Sequence, residues 1–219
     1  MHHTSSAWPI GIGALFLRAT LYLLITGAIA QGAYLEAAYL PDLRFSELAF
    51  TELTQTGFLT LACGILLYVR QRLNVWPNVT LLLLAFLGAS LVREQDAFLD
   101  AYVAEHAWKV LVAAIILPSM TRVAMNWRRF AVELGQYANS FSLGLFTAGF
   151  FTTYAFSRLY GRKEVWQAVM QERYLGSIKS MAEEVVELMG YALILFAMIE
   201  LLLLARRIYR ARLQATSSS

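Results

Sequence analysis

The residues best suited to chemistry in this chain are carboxylates set within otherwise apolar sequence. Glu52 and Gln55 lie one helical turn apart, Arg93-Glu94-Gln95-Asp96 ends another apolar run, and Glu183-Glu184 with Glu187 opens a third. At helical spacing, 183/187 and 184/187 are same-side pairs, and Arg93, Asp96 and Asp100 share a face from which Glu94 points roughly a hundred degrees away. Carboxylate oxygens take hard divalent ions, and imidazole extends the set toward zinc. The metal set read from the sequence is Glu52, Glu94, His106 and Glu187, with a divalent metal ion as the implied cofactor. Glu184 is then the candidate general base toward metal-bound water, and Arg93 and Arg158 are placed to hold a phosphate or a developing anion. Helix bundles build such sites from carboxylates on facing helices.

Missing residue types narrow the chemistry. Only His106 among three histidines is placed to ligate, which excludes a bis-histidine haem and a histidine-rich desaturase. Glu105-His106 is adjacent, whereas a di-iron carboxylate bundle wants Glu-x-x-His. The single cysteine, Cys63, rules out dithiol redox chemistry and a disulfide scaffold. No glycine-rich phosphate loop and no Ser-His-Asp pattern is present.

These residues have to be positioned by membrane helices. The chain is 219 residues long, 58% hydrophobic and only 15% charged, too few ions to coat a water-facing domain. A net charge of +3 is too small to point to nucleic acid. A hydrocarbon core of about 30 Å needs roughly 20 apolar residues per helix. Six stretches meet that: 10–31, 48–69, 78–99, 107–126, 137–157 and 184–205. None alternates with period two, so a β-barrel is disfavoured. The expected fold is all-α, one domain over 1–219, a six-helix transmembrane bundle. A short amphipathic interfacial helix is expected over 164–181, with Val165, Trp166, Val169 and Met170 on its apolar face. Ala28-Ile29-Ala30 has the form of a signal-peptidase site, but residues 1–9 carry no Lys or Arg and the apolar stretch starts too early. His2-His3 and Ser217-Ser218-Ser219 read as unstructured ends.

Orientation follows from Lys and Arg near the span ends. The loops after spans two and four and the C-terminal tail hold nine basic residues against one acid, Glu133; the other loops hold eight against thirteen acids. Both termini are therefore expected in the cytoplasm of a bacterial inner membrane, and every acidic cluster falls at the outer end of its helix. The expected partners are membrane lipids, together with a protein partner or a second copy of the chain.

Two further features read as structural. Arg18 and Glu200 lie at depths differing by about 6 Å at 1.5 Å per residue, so an ion pair locks spans one and six. Ser140, Gly144 and Ala148 recur every four residues and form the expected close-packing stripe of span five. Glu36, Asp42, Asp96 and Asp100 are expected to be solvated.

Glu183-Glu184 invites comparison with the CAAX-type intramembrane proteases, but position 188 is Leu and no histidine follows. Ceramidase-like intramembrane hydrolases carry several histidines that this chain lacks. Glu-x-x-Gln at 52–55, Arg-Glu-x-Asp at 93–96 and Glu-Glu-x-x-Glu at 183–187 together resemble a diffuse set of small bacterial polytopic membrane proteins. That resemblance implies that the three clusters form one constellation, and it supplies no activity. Three readings stay open at this level. One is metal-dependent hydrolysis of a lipid or envelope substrate. The second is a non-enzymatic subunit or scaffold with a salt-bridged acidic rim, and the third a small-solute or cation carrier.

Overall fold

The structure, a computed structural model, describes residues 11–39 and 49–217. Asp42, Glu47, the His2-His3 pair and Ser218-Ser219 lie outside the described residues. All regular elements among those described are helical: α1 (Ile12–Tyr39), α2 (Phe50–Tyr68), α3 (Pro77–Arg93), α4 (Asp96–Tyr102), α5 (Ala107–Met125), α6 (Trp127–Ala138), α7 (Phe141–Phe150), α8 (Ser157–Tyr160), α9 (Lys163–Met170) and α10 (Gly176–Ser217). One π-helical segment, Val69–Leu73, extends α2, and another, Phe151–Phe156, joins α7 to α8 without a break. Helices suit hydrocarbon because they satisfy their own backbone polar groups.

Among the described residues, four helices are long and apolar enough to cross a bilayer: Ile12–Tyr39, Phe50–Leu73, Ala107–Met125 and Gly176–Ser217. A fifth appears if α3 and α4, bent by 59° about a short break, count as one span. The stretch expected as span five, 137–157, begins at the end of α6 and runs through α7 and the π segment to the start of α8, where Thr152, Thr153 and Ser157 dilute its apolar character and Arg158 follows. The chain is thus an all-helical protein with several helices fit to span a membrane.

Buried carboxylates start two of these helices. Glu36 is buried and accepts hydrogen bonds from the Thr51 backbone N–H at 2.8 Å and the Thr51 hydroxyl at 2.7 Å. It therefore satisfies an orphan donor in the first turn of α2, where the sequence led us to expect a solvated acid. Glu133, on α6, accepts from the backbone N–H groups of Asn78 (2.7 Å) and Val79 (3.2 Å), the first donors of α3 after Pro77. Arg129 balances its charge at 3.0 Å. The short helix α6 was not anticipated; it carries Glu133 beneath α3 and begins the run to α7.

Helix α10 is the axis. Its 42 residues extend about 63 Å at 1.5 Å per residue, twice the hydrocarbon thickness. Of its most apolar window 67% is buried, against 6% for α1 and 6% for α5. Tyr191, Ile194, Met198 and Leu201 pack against Leu59, Ala62 and Leu66 of α2 in the main core. On the α7 side the helices approach closely at two glycines: a Cβ on Gly149 would lie 2.8 Å from the Gly190 carbonyl oxygen. The expected stripe is not this contact. Gly144 and Ala148 are exposed, and the buried face of α7 is Ser142 and Gly149, continued by Thr153.

Arg18 and Glu200 pair at 2.7 Å, and Tyr22 donates to the same carboxylate at 2.8 Å while its ring stacks on Phe196. The expected lock between the first and last long helices is present. A single helix over 164–181 is not formed: the stretch holds the short α9, where the Trp166 indole N–H donates to the Tyr160 carbonyl at 2.8 Å, and α10 has already begun at Gly176.

Candidate functional site

One end of the bundle gathers the acidic clusters: the first turns of α2, the break between α3 and α4, helix α8, and the early part of α10. They surround a cavity of about 440 Å3 lined by Glu52, Arg93, Glu94, Asp96, Arg158, Glu184 and Glu187, with Leu53, Thr56, Gln95 and Phe98 completing the wall. That volume lies within the roughly 300–1,000 Å3 common for small-molecule sites.

The break at Glu94-Gln95 builds one side. A straight helix would have kept Glu94 a hundred degrees from Arg93 and Asp96. Because α4 turns away by 59°, all three line the cavity. Arg93 donates to Glu94 at 2.7 Å, and the Tyr191 hydroxyl donates to the same oxygen at 2.7 Å. The Arg93 guanidinium lies 5.8 Å from the Tyr154 ring centroid, and Tyr154 shares a 2.6 Å hydrogen bond with Ser90. Gln95 donates to the Thr56 hydroxyl at 3.0 Å, tying the break to α2. Asp100 points elsewhere and accepts the His106 backbone N–H at 2.8 Å.

The opposite wall comes from α8 and α10. Arg158 reaches Glu183 at 2.9 Å and Glu187 at 2.8 Å through separate nitrogens. Lys179 adds a second cation to Glu183 at 2.6 Å. Glu187 is 3% exposed and also accepts from the Ser157 hydroxyl at 3.3 Å. Burial of a carboxylate at this depth requires such partners.

Glu184 differs. Its hydrogen bond comes from a neutral group, the Gln55 side-chain amide, at 3.2 Å. The same amide nitrogen donates to the Glu184 backbone carbonyl at 3.3 Å. Both partners are acceptors, so they fix which end of the amide is nitrogen. Among the described residues the Gln55 carbonyl oxygen is left buried without a hydrogen-bond partner.

Six of the seven residues singled out from the sequence therefore share one cavity: Glu52, Arg93, Glu94, Arg158, Glu184 and Glu187. His106 does not line it. It is exposed, has a left-handed backbone (φ 66°) at the start of α5, and its ring nitrogen lies 3.7 Å from Glu105. Among the described residues no group of three or more His, Cys, Asp or Glu is gathered closely enough to hold a metal ion in this conformation. Sequence reasoning missed Tyr191, though its i+4 spacing from Glu187 puts it on the acidic face of α10. It also missed Thr56, one turn after Glu52 on α2, and Gln95 and Phe98, which lie at and just beyond the break between α3 and α4.

The chain matches no family model, no curated protein and no solved structure. The functional reading therefore rests on this cavity. Its lining holds five carboxylates against two guanidiniums, and each guanidinium is already engaged with a glutamate. A lining with that imbalance favours cations and groups that donate hydrogen bonds.

Proposed function

We propose that the chain is a six-span protein of a bacterial inner membrane, with both termini cytoplasmic and this cavity opening at the outer boundary to take up a polar group of a lipid or envelope molecule. The observation that carries the proposal is Glu184, a carboxylate in the cavity wall whose hydrogen-bond donor is a neutral amide. Arg93 and Arg158 account structurally for Glu94 and Glu187, but among the described residues no salt bridge accounts for Glu184. Ionisable groups within membrane helices are costly and mark ligand or ion sites.

The chemistry such a site would supply is hydrolysis. A divalent cation between Glu52, Glu94 and Glu184 would polarise an ester or amide and acidify a bound water, with Arg93 or Arg158 facing the developing anion. The three carboxylates are not gathered closely enough for an ion in this conformation, so this version requires them to close around it and Glu94 to exchange its Arg93 contact for the ion. Metal content of the purified protein, compared with Glu52→Ala and Glu184→Ala, is the test. Stoichiometric metal lost in both variants supports the hydrolytic site, and metal retained in both removes it.

A second reading has its own observation. The fork of Arg158 across Glu183 and Glu187 is what a purely structural salt-bridged cap needs, as in a scaffold or membrane subunit. On that reading Glu184→Ala lowers thermal stability or partner retention and leaves ligand and metal content unchanged.

A further inference from the structure

The end of the bundle away from the cavity has a corner of its own, where α5 passes into α6 at Asn126. Helix α5 has 19 residues, about 28 Å at 1.5 Å per residue and close to the hydrocarbon thickness. Its last turn, with Arg122, therefore lies at the depth of lipid headgroups, and α6 starts there with Trp127, Arg128 and Arg129. Indole rings favour the same depth, and Trp127 is exposed.

Two open hollows meet at this corner and share Met125 and Asn126. The first, about 660 Å3, runs along α5 from Leu117 and Pro118 to Arg122. The second, about 440 Å3, holds Trp127, Arg128 and Arg129. Little of the chain covers α5, since 6% of its apolar window is buried, and Leu117 and Met125 are exposed. Apolar surface and guanidiniums are thus continuous.

The charges here are not balanced within the chain. Arg129 pairs with Glu133 at 3.0 Å, and that carboxylate is already filled by donors from Asn78 and Val79. No other acid occurs between Glu105 and Glu164. Among the described residues Arg122 and Arg128 form no ion pair. Arg122 lies close enough to Arg70 for the two charges to repel, and Arg70 gives a donor to the Pro77 carbonyl. The arginines of α10 differ. Arg206 lies over the Tyr68 ring at 5.6 Å and Arg212 donates to the Asn74 carbonyl at 3.3 Å, and neither lines these hollows.

Three occupants come into question: a free phosphate, a second copy of the chain and an anionic lipid. A second copy inserted with the same orientation presents its own basic end here and brings no acid. A free phosphate leaves Leu117, Pro118 and Met125 bare. A phospholipid covers them with an acyl chain and brings its phosphate diester to the arginine donors. Guanidinium forks suit phosphate oxygens, and basic pockets beside membrane helices hold anionic headgroups.

From this charge complementarity we propose that the α5–α6 corner binds one anionic phospholipid, its phosphate at Arg122 and Arg128 and an acyl chain along Leu117 and Pro118. The site is independent of what the carboxylate cavity holds.

Native mass spectrometry of the detergent-purified full chain tests this. The probes are dioleoyl phosphatidylglycerol, dioleoyl phosphatidylcholine, which has the same chains and no net charge, and glycerol 3-phosphate, which has the phosphate without chains. Phosphatidylglycerol is expected to bind at least about fivefold more tightly than phosphatidylcholine, and glycerol 3-phosphate not to be retained. Arg122→Gln and Arg128→Gln should each weaken phosphatidylglycerol about fivefold, the effect of one basic residue on an anionic lipid. Arg210→Gln removes the same charge from the exposed tail of α10 and should leave the affinity unchanged. If one of the two corner variants does not fold, the other decides. Equal affinity for the two lipids, equal losses in all three variants, or no lipid retained overturns the site. Glycerol 3-phosphate bound as tightly as phosphatidylglycerol overturns the lipid in favour of a free phosphate. A dimer that excludes lipid and is lost in Arg122→Gln overturns it in favour of a second copy.

Discussion

Arg158 shows how one side chain determines the cost of the others. It is half-exposed, but it joins Glu183 on the rim to Glu187, which is nearly inaccessible. Removing one partner of a fully buried pair costs about 3–5 kcal/mol, whereas an exposed pair is worth about 0–1 kcal/mol. With one end of this pair solvated, Arg158→Ala is expected to destabilise by about 1–3 kcal/mol, seen as a lower Tm in detergent. Arg158→Lys should recover only part of the loss, because an ammonium cannot span two carboxylates as a planar fork does. Adding Glu187→Gln to Arg158→Ala should restore stability, since the stranded charge is then gone. If the double variant is as unstable as the single, the loss comes from packing and not from the orphaned carboxylate. Tyr191→Phe is a milder case. Glu94 loses a 2.7 Å donor but keeps Arg93, so a loss of about 1 kcal/mol is expected by the same unfolding measurement.

The elements are held together by small residues and buried caps, and only part of this is visible in residue type. Because a Cβ on Gly149 would press on the backbone of Gly190, Gly149→Val is expected to cost at least about 1–3 kcal/mol by overpacking. Gly144→Val should cost far less, since a Cβ there meets nothing within 4 Å. Thermal unfolding of the two variants side by side checks this, and a larger loss at Gly144 would restore the stripe expected from sequence. That stripe misled because recurrence of small residues gives a face but not a neighbour, and the π segment after Phe150 changes the phase in which α8 meets α10. Legibility followed the same division elsewhere. The apolar runs were readable because hydrocarbon demands their length, and Arg18 with Glu200 because buried charges need partners. Glu36 was not, since an acid near a loop reads as solvated until Thr51 is seen against it. The bend at Glu94-Gln95 carries no Pro or Gly to announce it, so Asp96, exposed as expected, was not seen to line the cavity as well.

At the scale of the molecule, the charges separate by end. Arg70, Arg72, Arg122, Arg128, Arg129 and the four arginines after Leu204 lie toward one end of the bundle, and their one acidic neighbour, Glu133, is committed to the start of α3. The cavity lies at the other end, with a surplus of carboxylates. Basic residues near span ends are retained on the cytoplasmic side, so the cavity should face outward, where a divalent ion or the polar group of an envelope molecule would reach it without crossing the membrane. Single-cysteine labelling tests this in the native membrane. With Cys63→Ser as background, Glu105→Cys marks the exposed loop at the cavity end and Gln214→Cys the exposed tail of α10. In intact spheroplasts a membrane-impermeant maleimide should label position 105 and reach position 214 only after permeabilisation. The reverse pattern would place the acidic end in the cytoplasm and overturn the outward assignment, while leaving the cavity, its two arginines and the unpartnered Gln55 oxygen as they stand.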